Sequence, residues 1–263
     1  MRRASTCLAV LGLAALALAG TASAAPTVTF KAKAVPIAGY PNTGNILGHG
    51  AALQSEFTIS GTEYGGFPAP LVGVYVALPT GSKIHSQGFK TCPVSVLEQE
   101  GAQACNKKKA AAGPVGHALG VVSFGTERVP EETSISSFFA PGGGLEFLAH
   151  GVTPVELEII SSGKYVSLNG GGGFGPELKT QVPLVVTVPG APDASVERIS
   201  VKVGAAYKSH GKPVYYGTMP KKCPKGGFPL RAELLFAPNA QATLPGTPLE
   251  TVTTVYKAPC PRK

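Results

Sequence analysis

Short segments in which apolar and polar residues alternate follow one another along most of the chain. Residues 71–78 place three valines and a leucine on one face of a strand, with glycine, tyrosine and alanine on the other. Residues 228–236 place phenylalanines and leucines on one face, with Arg231 and Glu233 on the other. Because successive side chains of a strand point to opposite faces, this alternation predicts β-strands that each bury one face.

The same pattern predicts strands in eleven other segments, and frequent glycine and proline residues separate them. Residues 127–133 read as a polar connection and residues 161–163 as a hairpin turn. Residues 94–99 can form one or two helical turns. The remaining predicted strands are 27–35, 53–59, 115–124, 134–139, 145–150, 155–160, 164–168, 182–188, 196–203, 214–216 and 251–256.

About a dozen short strands with almost no helix favour two packed antiparallel sheets. The predicted fold is therefore an all-β antiparallel sandwich, with one short helix in the crossover between Cys92 and Cys105. The composition agrees, since 34 glycines and 24 prolines suit many turns and only 14% of residues are charged. Residues 26–263 are predicted to form a single domain. Residues 189–193 are the best candidate for a linker between domains. The alternative to a single domain is therefore two stacked β modules, at residues 26–189 and 193–263.

The N-terminus has the features of a signal peptide. Arg2 and Arg3 precede an apolar run at residues 7–20, and Ala22 and Ala24 supply the small residues of a cleavage site. The run is shorter than the roughly 18 residues that a membrane span needs. We predict that residues 1–24 are cleaved and that the mature chain is secreted or associated with the cell wall, with no membrane span.

Four cysteines remain after cleavage, namely Cys92, Cys105, Cys223 and Cys260. An even number in an exported chain implies two disulfides, of which three pairings are possible. We favour the two local pairs, Cys92 with Cys105 and Cys223 with Cys260. A four-cysteine zinc site is the alternative, but the chain lacks the C-x2-C spacing of such sites.

Two stretches resemble a group of exported β-sandwich proteins of high-GC actinobacteria. They are TCPVSVLEQEGAQAC, followed by a Val-Gly strand, and a C-terminal run that includes RISVKVGAAYK, YYGTMPKKCPKGGFPLRAELLF and TTVYKAPCP. The resemblance extends from about residue 71 to the C-terminus. It departs at Asn106, which follows Cys105 where a Cys-Pro pair is usual. The resemblance implies export, a β fold and the local disulfides, and it implies no activity, substrate or catalytic residue.

Positive charge is concentrated in the C-terminal third. Residues 198–263 contain eleven lysines and arginines against two glutamates. Lys221, Lys222 and Lys225 follow Tyr215, and cations beside an aromatic ring could hold an anionic ligand. An anionic cell-wall polymer or a carbohydrate is thus a candidate partner, and a solvated lysine face is the alternative. The chain has no nucleic-acid-binding motif.

The residues that most enzymes need are sparse. The mature chain has one aspartate, Asp193, in a predicted turn, and it lacks a G-x-S-x-G elbow. Its histidines form no metal-binding motif, and no cofactor is predicted. Glutamate pairs occur at 98 and 100, 131 and 132, and 156 and 158. The last pair would share the polar outer face of a strand.

The sequence thus predicts an exported, non-catalytic β protein that acts as a cell-surface or extracellular binding or structural module. The alternative is a secreted glycan hydrolase or lyase that uses paired glutamates. Such an enzyme would bring two carboxylates together in one cleft.

Overall fold

The computed structural model describes residues 25–40, 46–124, 127–169, 171–185, 193–237 and 249–261. These ranges contain one α-helix, α1 (Val94–Lys107), a 3₁₀ turn at Gly171–Gly173 and fifteen strands. The strands are β1 (Thr27–Val35), β2 (Ala52–Ser60), β3 (Leu71–Pro79), β4 (Lys83–Ile84), β5 (Gly116–Phe124), β6 (Glu127–Phe139), β7 (Leu145–Gly151), β8 (Leu157–Ser167), β9 (Phe174–Gln181), β10 (Ser195–Val203), β11 (Ala206–Ser209), β12 (Lys212–Tyr215), β13 (Gly217–Thr218), β14 (Phe228–Phe236) and β15 (Glu250–Ala258).

Eleven of these strands form one antiparallel sheet in the order β1-β2-β10-β5-β6-β7-β8-β9-β3-β14-β15. The sheet curves until it is nearly closed into a barrel, and the rings of Phe30 on β1 and Tyr256 on β15 lie 6.2 Å apart. The predicted all-β antiparallel fold is confirmed. The two layers expected from the sequence correspond to opposite walls of this single curved sheet.

Strands from both halves of the chain contribute to the sheet. Strand β10 pairs with β2 and β5, and β14 pairs with β3 and β15. The predicted signal peptide and residues 189–192 of the predicted linker lie outside the described residues.

Two predicted breaks in the sheet are wrong. Residues 127–133 are the first half of β6, and residues 161–163 lie inside β8. Both segments are polar, but residues 127–132 pair with β5, and residues 162 and 163 pair with both β7 and β9. Backbone pairing with a neighbouring strand keeps a polar segment extended, because it satisfies backbone N–H and C=O groups without help from the side chains. The strand predicted at 182–188 is also wrong where it is described, since residues 182–185 follow the end of β9.

Helix α1 is longer than expected and packs on the outer face of the sheet. Gly101 has φ +69° and ψ −176°, a conformation that glycine adopts at low cost and that divides the helix into two pieces. The predicted turns at 94–99 belong to the first piece. Leu97 and Cys105 are fully buried against Phe138 of β6 and Leu148 of β7.

Both favoured disulfides are confirmed. Cys92 and Cys105 have Cα atoms 5.5 Å apart, and Cys223 and Cys260 have Cα atoms 5.9 Å apart. The first pair joins the two ends of the α1 region, and the second joins the start of β14 to the end of β15. Paired cysteines are compatible with folding in an oxidising compartment. Among the described residues, no helix is long and apolar enough to cross a bilayer.

One side of the barrel has a filled core. Phe30 of β1 stacks on Phe57 of β2 with ring centroids 4.8 Å apart. Leu234 and Phe236 of β14 are fully buried against this pair and its neighbours. Large side chains from β1, β2 and β14 thus meet across the interior here, and the space that remains is lined by β2, β3 and β5 to β10.

Candidate functional site

The barrel interior contains an elongated apolar cavity of about 240 Å³. Its wall is built from the inward faces of β2, β3 and β5 to β10, and most of the wall is valine, isoleucine, leucine and alanine. On β8 alone the lining runs from Leu157 to Tyr165, a span of about 27 Å along the strand. For comparison, a dry apolar cavity of about 150 Å³ holds a benzene molecule.

The cavity exists because the inward side chains of these strands are short. Val74 and Val76 of β3 and Val201 and Val203 of β10 all point inward, yet each is only half-buried. By contrast, Phe236 on the filled side is fully buried. Protein interiors are ordinarily packed as densely as organic crystals, so an apolar void of this size is a feature that needs an explanation.

An aromatic cluster closes one end of the barrel. Tyr216 lies between Phe89 and Phe139, with ring centroids 5.5 Å and 4.5 Å away. Its hydroxyl donates to the carbonyl oxygen of Gly143 at 3.1 Å, and the ring of Tyr165 lies 6.3 Å from its own ring. Burial raises the pKa of both tyrosines, so both phenols are neutral in the cavity wall.

A cluster of polar residues around Arg128 lies at the opposite end of the barrel. Arg128 donates to the carbonyl oxygens of Tyr64 and Asp193, at 3.0 Å and 3.1 Å, and to the Ser195 hydroxyl at 2.8 Å. Its guanidinium also lies 4.8 Å from the ring centroid of Phe67. Burial raises the pKa of the Asp193 carboxyl and lowers the pKa of Arg128. Asp193 was expected to be an ordinary turn residue. Its carbonyl oxygen instead accepts a hydrogen bond from Arg128, which helps to hold the chain at the start of β10.

Glu131 is the ionisable carboxyl group in the cavity wall, and it is completely buried. Its two oxygens accept hydrogen bonds from the backbone N–H groups of Thr153 and Val155, each at 3.2 Å. The carboxylate thereby fixes the turn between β7 and β8. A carboxylate committed to two backbone donors is poorly placed to act as a general base.

Three hydroxyl groups in the wall have no partner. Ser55, Ser161 and Thr180 line the cavity, and none of them hydrogen-bonds to another described residue. All three residues are at least nine-tenths buried. Buried hydroxyls nearly always find a partner, so these three mark where a polar atom of an occupant would be held.

The glutamate pairs predicted for glycan cleavage do not converge where the structure describes them. Glu131 faces the interior, whereas Glu132 is exposed on the outer face of β6. Glu156 and Glu158 are both exposed, as are Glu98 and Glu100 on α1. No group of three or more potential metal ligands occurs in the described part of the chain.

The candidate anionic-ligand patch lies beside the second disulfide. Lys221, Lys222 and Lys225 are exposed, and Lys221 packs against Gly48. Tyr215 is half-buried, with its ring 6.1 Å from that of Tyr40. The lysines are thus available to solvent, and binding of an anionic polymer here stays a prediction.

Changing Lys221, Lys222 and Lys225 together to glutamine is expected to lower the salt concentration that elutes the protein from an anionic polysaccharide column. The three charges face solvent, so their attraction to the column is screened by salt. The matched control changes Lys107, Lys108 and Lys109, which are exposed beside the other disulfide. Equal elution of the two variants would show that the patch has no special role.

No family model, no curated protein and no solved structure matches this chain.

Sequence reasoning missed the cavity. It predicted that Val74, Val76 and Leu78 of β3 share one buried face, but it assumed that two packed sheets would fill the interior. The sequence of β5 did contain an indication of the cavity, because its inward residues are Ala118, Gly120 and Val122. Three small residues in a row on one inward face are too short to fill a wide barrel.

Proposed function

We propose that this chain is an exported, non-catalytic binding protein that holds one small hydrophobic molecule inside its barrel. The observation that carries this proposal is the apolar cavity of about 240 Å³ lined by β2, β3 and β5 to β10. Concave, largely apolar cavities with a few polar groups are the usual form of small-molecule sites. The predicted signal peptide supports export.

The affinity for such a ligand would come from burying its hydrocarbon part in the cavity. Each methylene group transferred from water to an apolar interior contributes about 0.8 kcal/mol. An occupant with about ten buried carbons would gain about 8 kcal/mol before the cost of association, which itself is several kcal/mol. Dissociation constants in the micromolar range or weaker are therefore expected for simple hydrocarbons, and polar contacts would improve them.

The same geometry supports a binding role over catalysis. Glu131, the carboxyl group in the cavity wall, has both oxygens bonded to backbone N–H groups. The two tyrosines at the closed end have raised pKa values and remain protonated. Neither kind of group is poised to transfer a proton at neutral pH. The glutamate pairs of the alternative, a glycan hydrolase or lyase, gain no support from their positions.

A fluorescence titration with the neutral dye N-phenyl-1-naphthylamine tests the proposal. The dye is apolar and brightens on leaving water, so the mature protein should bind it saturably with one site per chain. Urea-unfolded protein is the control and should show no saturable signal, because the cavity requires the closed sheet. A folded protein that gives only weak, non-saturating fluorescence would contradict the proposal.

A further inference from the structure

Two of the unpartnered hydroxyls lie next to each other on adjacent strands. In the pairing of β8 with β9, Gly163 lies opposite Thr180, and Ser161 is two residues from Gly163 on the same inward face. Diagonal neighbours of this kind have Cα atoms about 7 Å apart, within reach of one ligand atom between their side chains.

The absence of a side chain at Gly163 leaves the Thr180 hydroxyl uncovered. A Cβ atom at position 163 would lie 2.9 Å from the Thr180 Oγ1 atom and 2.9 Å from Leu178. Ser161 and Thr180 therefore border an open part of the wall, while the rest of that wall is apolar. Ser55 on β2 is the third free hydroxyl, and β2 lies five strands from β8 in the sheet order, on the opposite wall.

The cavity wall offers no partner for a charged ligand. Among the residues that the structure describes, no lysine, arginine or histidine lines the cavity, and Glu131 is already bonded to the backbone. A ligand carboxylate would thus be buried without a cation, which is strongly unfavourable. A ligand alcohol or carbonyl would instead find hydroxyl groups that can donate or accept a hydrogen bond.

We infer that the occupant of the cavity is an uncharged, elongated hydrocarbon molecule that carries a hydroxyl or carbonyl oxygen, and that Ser161 and Thr180 bind this oxygen. The inference rests on the proposed function, since it names the ligand class of the same cavity. The cavity's length along β8 suits a slender body, and the two hydroxyls fix the position of the polar atom along it.

Three probes with the same carbon skeleton test this directly. They are 5-phenylpentan-1-ol, 5-phenylpentanoate and pentylbenzene, each titrated against the dye-loaded mature protein at about pH 8, where the carboxylate is ionised. The alcohol should displace the dye about fivefold more tightly than pentylbenzene, as expected for one net hydrogen bond. The carboxylate should bind at least about tenfold more weakly than the alcohol.

The variant Thr180→Val keeps the shape of the side chain and removes its hydroxyl. It should weaken binding of the alcohol about fivefold and leave binding of pentylbenzene unchanged. Thr58→Val, on the exposed outer face of β2, is the matched control and should change neither.

The outcomes separate the inference from the proposed function. If none of the three probes displaces the dye and the dye itself does not bind saturably, the proposed function fails. If pentylbenzene and the alcohol bind equally well and Thr180→Val changes neither, the cavity binds hydrocarbon but the ligand class is wrong. Tightest binding of the carboxylate would also overturn the ligand class.

Discussion

Replacing Cys223 and Cys260 together by alanine is expected to lower the free energy of unfolding by about 4 kcal/mol. The two cysteines are separated by 37 residues, and in the chain-entropy model a crosslink that closes a loop of this length contributes about that much. The effect is large compared with the total stability of a typical domain, which is about 5 to 15 kcal/mol.

The position of this disulfide gives a structural reason for the expected loss. Strand β15 is the last strand in the sheet order and pairs only with β14 within the described ladders. Cys260 follows β15 and is bonded to the turn that leads into β14. Without this link, β15 would be held by one set of ladder bonds and its contacts with β1, so the place where the barrel closes should open first.

Urea denaturation followed by circular dichroism measures the change. The matched variant lacks Cys92 and Cys105, which are separated by 13 residues and should contribute about 3 kcal/mol. A loss below about 1 kcal/mol in the Cys223 and Cys260 variant would contradict the assigned role, since it lies outside the usual range for a native disulfide.

Changing Ala149 to phenylalanine is expected to abolish measurable dye binding while the protein stays folded. Ala149 points into the cavity from β7, between Ile135 of β6 and Ile159 of β8. A phenyl ring at this point would occupy space that the proposed ligand needs. Overpacking a dense core costs about 1 to 3 kcal/mol, but here the ring enters a void, so stability should change by less than about 1 kcal/mol.

His150→Phe is the control for this change. His150 is the next residue on β7 and points to the outer face of the sheet. The same phenyl ring added there should leave dye affinity unchanged. Equal affinity of the Ala149 and His150 variants would show that the dye binds elsewhere, and the cavity would lose its proposed role.

The alternation of apolar and polar residues was sufficient to predict most strands, because one face of each strand is apolar along its whole length. It failed at the start of β6, where polar residues such as Glu131 and Glu132 occupy both faces. It failed again at Ser161 and Gly163 in β8. In both places the strand is specified by its pairing with neighbouring strands, with β5 for the start of β6 and with β7 and β9 for β8, and no local pattern records that pairing.

The helix and the cavity show two other limits of local reasoning. The sequence predicted helical turns only at 94–99, but the positive φ of Gly101 allows a second helical piece that carries Cys105 into the core. Val74, Val76 and Leu78 were predicted correctly to share one face of β3, but a bulge turns Leu71 inward in place of Val72. Whether Val76 and Val203 meet a neighbour across the barrel depends on how the sheet curves and on the number of strands, which are properties of the whole fold.

The disulfides could be predicted because the four cysteines after residue 24 allow only three pairings, of which the two local pairs were favoured. The polar cluster around Arg128 could not be predicted, since it joins segments that are distant in the chain. Tyr64 and Asp193 lie 129 residues apart, yet the Asp193 N–H donates to the Tyr64 hydroxyl at 3.3 Å.

A crystal structure of the mature protein soaked with 5-(4-bromophenyl)pentan-1-ol would show whether the barrel interior is a ligand site, because bromine can be located by its anomalous scattering. We expect one bromine site inside the barrel and the alcohol oxygen within hydrogen-bonding distance of Ser161 or Thr180. Bromine found only on the outer surface, with the interior unchanged, would contradict the account.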